Sequence, residues 1–100
     1  MVKITWSNLA LESIHTASEF HRPYSAGFAD TLIERIFEKV FLLESHPLMG
    51  RIVPEFNRPD LRELLYKQYR IMYQVLSPTD LAILVVHHGA KPVSLESLFG

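Results

Sequence analysis

Val2 to Trp6 alternates Val, Ile and Trp with Lys and Thr at a period of two, the pattern of a short strand that buries one face. Ser7 follows, and its hydroxyl suits a helix N-cap because it can accept from the free amides of a first turn. The spacing then predicts a helix over Asn8–His21 with Leu11, Ile14 and Ala17 as its apolar stripe and Ala10 and Phe20 at the flanks. Pro23 ends it, because the residue before a proline disfavours helical geometry. A second helix is predicted over Ser25–Ser45 from Ala29, Leu32, Ile33, Ile36, Val40 and Leu43, with Pro47 closing the segment. The short connection makes the two helices an antiparallel hairpin. Phe28, Phe37 and Phe41 widen the second stripe beyond what one packed face requires, and fit either a thick core or a surface that another chain covers.

Residues 46–60 hold three prolines, Gly50 and few periodic apolar positions, so they read as an irregular crossing. Leu61–Tyr66, Tyr69–Leu76 and Leu81–His88 are rich in Leu, Ile, Val and Tyr and read as three strands joined by Lys67-Gln68 and by Ser77-Pro78-Thr79-Asp80. With two-residue turns, Leu65 lies opposite Arg70, Leu64 opposite Ile71, and Arg70 opposite His87. Tyr69, Ile71, Tyr73 and Val75 then share an apolar face with Leu64, Leu84 and Val86, while Arg70, Met72 and Gln74 share the other with Glu63, Val85 and His87. The first face suits the helices, and the second is where function is expected. The tail after Gly89 allows one more turn at Leu95–Phe99. The expected fold is a single α+β domain over residues 1–100: an N-terminal strand, an antiparallel two-helix hairpin, then a three-stranded antiparallel meander with the helices on one face of the sheet.

One hundred residues, 48% of them hydrophobic, suffice for one core. Without cysteine there is neither a disulfide nor a thiolate ligand, and stability has to come from packing. The apolar start is too short for a signal peptide, and the most apolar run, Leu81 to Val86, is strand-sized, so the expected location is the cytoplasm, away from the membrane. A net charge of −1 argues against a broad phosphate-binding surface. Residues 1–45 carry −2 and residues 46–100 carry +1, and the basic set Arg51, Arg58, Arg62, Lys67 and Arg70 is interrupted by Glu55, Asp60 and Glu63.

Three phrases make the pattern specific. Pro47-Leu48-Met49-Gly50-Arg51-Ile52-Val53-Pro54-Glu55, then Leu61-Arg62-Glu63-Leu64 with Tyr69-Arg70-Ile71-Met72-Tyr73-Gln74-Val75, then His87-His88-Gly89-Ala90-Lys91, resemble in order and spacing the signature segments of the RelE/ParE superfamily of type II toxins. The resemblance runs from Trp6 to about Lys91. It implies a growth-arresting toxin held harmless by a cognate antitoxin in a hetero-oligomer. RelE-like members are metal-independent ribonucleases that cut messenger RNA in the ribosome; ParE-like members poison DNA gyrase.

A metal-free ribonuclease needs a base, a cation for the charge on phosphorus and an acid for the leaving oxygen. Arg70 offers a phosphate clamp, His87 a proton exchanger, Glu55 a base if the crossing reaches the sheet, and Lys91 added charge. Each also has a structural reading, an ion pair for Arg70 above all. His15, His21 and His46 show no ligand spacing, so no metal and no cofactor is expected. Where RelE-like sequences place lysines before the arginine this chain has Leu61 and Glu63, it has Ser97 at the position of their late tyrosine, and Lys91 stands where they tend to have arginine. Glu63 repels phosphate, so the ParE-like branch is the expectation, with ribosome-dependent RNA cleavage or a degenerate toxin that only binds its antitoxin as alternatives. Antitoxin contacts are expected at Phe37 and Phe41 on the second helix and at Arg62 and Arg70 on the sheet.

Overall fold

A computed structural model describes all residues 1–100. Strand β1 (Lys3–Trp6) leads through Ser7, whose hydroxyl accepts from the Ala10 amide, into helix α1 (Asn8–His21). Ser25 repeats the device for α2 (Ala26–Phe41) by accepting from Phe28, so a serine cap opens each arm of the helical hairpin. The segment expected to continue as helix to Ser45 instead tightens into a 3₁₀ turn at Leu42–Glu44, which ends before Pro47. On α1 the buried positions are Ala10, Ile14, Ala17 and Ser18, so the stripe is rotated from the expected one and Leu11 and Phe20 stay exposed.

The strands β3 (Leu61–Tyr66), β4 (Tyr69–Ser77) and β5 (Asp80–His88) form the expected antiparallel meander. Two additions complete a five-stranded sheet of order β1-β5-β4-β3-β2. β1 pairs in parallel with the first half of β5, and Arg51–Ile52 in the supposedly irregular crossing forms β2 against Arg62 and Glu63. A helical crossover between β1 and the meander permits the parallel pairing that a hairpin could not.

The register agrees with expectation at both ends of β4 and β5, with Arg70 opposite His87 and Ser77 opposite Asp80, but not between. Met72 pairs with Val85 and Tyr73 with Ile83, so Leu84 is an extra residue on β5, and Leu76 is the compensating extra residue on β4. The bulge turns Leu84 to the same side as Val85. Leu84 therefore leaves the helix-facing surface on which strict alternation placed it.

That surface, with Leu64, Tyr69, Ile71, Tyr73, Leu81, Ile83 and Val86, packs on Ile14, Ala17, Leu32, Ile36 and Val40 of the helices as the main core. The opposite face, where function was expected, is itself partly covered. Leu61, Met72, Leu84 and Val85 make a second core there with Val53 and with Leu98 of helix α3 (Leu95–Phe99). Ser94 caps α3 and closes a reciprocal box with Ser97, which fixes the tail where Leu98 is fully covered. No helix is long and apolar enough to cross a membrane.

Candidate functional site

At one end of the second face, beyond the second core, lies a cluster of charged side chains. Arg70 rises there from β4 among carboxylates on both sides. Its Nη1 and Nη2 donate to the two oxygens of Glu55 at 2.6 and 2.7 Å, a fork-on-fork pair, and its Nε donates to Glu63 Oε1 at 2.6 Å. The other Glu63 oxygen accepts from Arg51 Nε at 2.5 Å. Arg51, Glu63, Arg70 and Glu55 thus alternate in one chain of charge, with the Glu63 side chain fully buried and that of Arg70 11% exposed. The guanidinium of Arg70 holds the Glu55 carboxyl at about 2, and the two carboxylates push Arg70 further up.

The neighbouring phrases build this arrangement. The Arg51–Glu63 pair is the β2–β3 register itself, and Val53, buried in the second core, anchors the turn that delivers Glu55. Gly50 donates its amide to the Tyr73 hydroxyl at 3.0 Å, and that hydroxyl donates to the Pro47 carbonyl at 2.9 Å. A Cβ at position 50 would stand 2.7 Å from both the Glu63 carbonyl and the Tyr73 ring, so only glycine lets the crossing lie this close to the sheet. Arg62 donates to the carbonyls of Gly50 and Pro59 at 3.0 Å each, tying both ends of the crossing to β3.

A shallow depression of about 370 Å³ adjoins Arg70, lined by Arg51, Glu55, Lys67, Gln68 and Gly89 among others. His87 is on the same face, but its Nε2 is 3.0 Å from the Lys91 carbonyl, which can only accept, so that nitrogen carries the proton. Lys91 is exposed in the turn after β5 and enters this arrangement through its backbone. His87 and Lys91 instead border a second depression of about 510 Å³ against α1, with Glu12, Thr16, Phe20 and His88. The structure thus joins Arg70 with Glu55 and separates both from the side chain of Lys91. No group of three or more His, Asp or Glu side chains is gathered as metal ligands.

The family model of the ParE toxin of the type II toxin–antitoxin system parDE matches residues 4–92. The chain belongs to the ParE toxin family. Among solved structures, a chain of the chromosomal ParDE TA system from P. aeruginosa superposes with a TM-score of 0.72 at 18% sequence identity, covering 88% of this chain and 96% of that one. That likeness is one of fold. A search of the curated proteins gave no match.

For a ParE toxin the residues expected to meet an antitoxin are dispersed. Phe37 and Phe41 lie on α2, 42% and 64% exposed, with Phe37 packed on Trp6 of β1 at a ring separation of 4.7 Å. Arg62 alternates with Glu63 on β3 and so faces the opposite side of the sheet from Arg70, with its donors spent on carbonyls. Sequence reasoning counted Arg51 only in the basic set, and it placed Glu63 on the face of Arg70 but weighed it as a charge that repels phosphate. Pairing of β2 with β3 was the missing signal, and two residues are too few to show a period. It also missed His21, whose Nε2 lies 2.8 Å from the Tyr69 hydroxyl and ties the tip of the helical hairpin to β4.

Proposed function

We propose that this ParE toxin acts by binding a protein target, DNA gyrase, and that a cognate antitoxin neutralises it in a hetero-oligomer. The observation that carries the choice against RNA cleavage is the commitment of Arg70. Its Nε, Nη1 and Nη2 each donate to one of two carboxylates at close range, whereas a phosphate clamp needs that fork free. Glu55, the only candidate base brought to Arg70, is held at about 2 and is a weak acceptor of a 2′-hydroxyl proton at neutral pH. His87 presents a protonated Nε2 to a carbonyl. Net charge −1 is also a poor match to a ribosomal RNA surface. With acid, base and phosphate cation disfavoured together, binding to a protein target is the better reading, and gyrase is the target that the resemblance to ParE-like toxins implies.

The test is tightly controlled expression in bacteria, following plasmid topology and messenger RNA integrity over time. Relaxed or cleaved plasmid with intact transcripts is the expected result. Rapid loss of translated transcripts, abolished by His87→Ala in a folded protein, would establish a ribonuclease instead. Normal growth with soluble toxin present would leave a chain that only binds its antitoxin.

A further inference from the structure

β1 stops at Trp6 opposite Ile83, so the last part of β5 has no strand beside it. Helix α1 takes that place through two serines. Ser7 Oγ accepts from the Ala10 amide and donates to the Leu84 carbonyl at 2.8 Å. Ser13 Oγ accepts from the Val86 amide at 2.8 Å and donates to the Ala10 carbonyl at 2.7 Å. Both hydroxyls are used in both directions, so this edge is closed as far as the Val86 amide, and an added strand cannot run along it. Beyond Val86 the edge opens. The Gly89 amide donates toward β4, to the Gln68 carbonyl at 2.7 Å, so by alternation the His88 amide points the other way, toward the depression of about 510 Å³ between α1 and β5.

The lining of that depression is divided. Leu9, Ala17 and Phe20 of α1, with Tyr69 and Val86 of the sheet, supply an apolar wall. Phe20 is exposed and the Tyr69 hydroxyl is spent on His21, so both residues offer ring surface to a ligand. At the end where β5 turns, the Ala90 amide donates to His88 Nδ1 at 3.2 Å, which in the neutral ring leaves the hydrogen on Nε2. Lys91 lines the same end, exposed and in no ion pair. The His88 amide, His88 Nε2 and the Lys91 ammonium are therefore donors in want of an acceptor. Glu12, the one carboxylate of the lining, adjoins Ser13 and so stands at the Val86 end.

The geometry points to a small-molecule site here, for a carboxylate carried on an aromatic body. The ring lies on Phe20, Tyr69 and Val86, and the carboxylate accepts from His88 and Lys91, turned to that end by repulsion from Glu12. The volume falls within the range of small-ligand sites, about 300–1,000 Å³. A peptide strand fits less well, because the serines leave a single amide of this edge to pair with. The site is separate from the Arg51–Glu63–Arg70–Glu55 chain and independent of how the toxin acts.

The test is a titration of the full-length protein with phenylbutyrate, followed by amide chemical shifts, with phenylbutyramide and phenylbutylamine as neutral and cationic controls on the same body. Phe20→Ala and Lys91→Glu alter exposed side chains, and circular dichroism checks that each variant is folded. The expected result is saturable shifts at Phe20, His88 and Lys91, tightest binding for the carboxylate and weakest for the amine, and about fivefold weaker binding of the carboxylate in each variant. Lys3→Glu makes the same change of charge on an exposed residue elsewhere and should leave the affinity at its wild-type value. No saturable shift at about 10 mM probe, equal binding of carboxylate and amine, or wild-type affinity in both variants overturns the site. Saturation confined to the residues around Arg51 and Lys67 overturns it as well, and moves the anion to the other depression.

Discussion

Arg70 is the residue on which the chemistry of this chain turns, and its partners make it structural before anything else. Arg70→Ala leaves the fully buried Glu63 side chain with Arg51 alone and frees Glu55. An uncompensated buried charge costs about 3–5 kcal/mol, so the variant should lose about 3 kcal/mol in urea unfolding, and any loss of toxicity in it has to be read against that. Glu55 gives a milder and pH-resolved test. Its carboxyl, ordinarily near 4.5, is held at about 2 by Arg70. A depressed folded-state value means stability that is present above pH 4.5 and lost as the pH falls toward 2. With the side chain 37% exposed, solvent screening reduces the contribution to about 1 kcal/mol. Glu55→Gln should therefore be less stable than wild type at pH 7, and the two should converge near pH 2. A gap that stays constant over that range would mean the carboxylate is not what Arg70 stabilises. Asp60, lowered by Arg58 and Gln74, adds acid sensitivity to both proteins and cancels in the comparison.

At the scale of elements, the crossing between α2 and β3 is held by its close approach to the sheet. Tyr73→Phe removes both the acceptor of the Gly50 amide and the donor to the Pro47 carbonyl in a fully buried position. Unmatched buried polar groups cost about 1–3 kcal/mol, so thermal unfolding should shift down by that equivalent, with faster exchange at the Gly50 amide. The β3–β4 turn is strained in the other direction: Lys67 sits at a φ of 53°, where a side chain is disfavoured. Lys67→Gly should gain up to about 1 kcal/mol in denaturant unfolding, and a loss of stability would mean the turn is not strained at this position. The hairpin, the Ser7 cap and the end registers of the meander were legible because each rests on local pattern, period and turn length. What was not legible depends on distant partners. The bulge at Leu84 leaves both end registers unchanged, so turn counting cannot detect it. β2 exists only because Glu63 and Arg62 receive it. The candidate site was half legible: Arg70 with Glu55 was anticipated as a conditional meeting and Glu63 was placed on the face of Arg70, while the pairing of Glu63 with Arg51 was not anticipated.

On the scale of the molecule, the sheet is covered on both faces, and the second cover is small. Leu98 of the five-residue α3 shares one core with Val53, Leu61, Met72, Leu84 and Val85, and with it the tail closes a face that would otherwise present an apolar surface beside the Arg70 cluster. A helix this short has little stability of its own, so its position is set by Leu98 and the Ser94–Ser97 box. Leu98→Ala should therefore do two things together: lower stability by about 2–5 kcal/mol through the cavity it leaves, and free the tail. The two are separable. Hydrogen exchange should speed up at Ser97 and Gly100, whose amides bond within the turn, while the amides of β4 facing the helices remain as protected as overall stability allows.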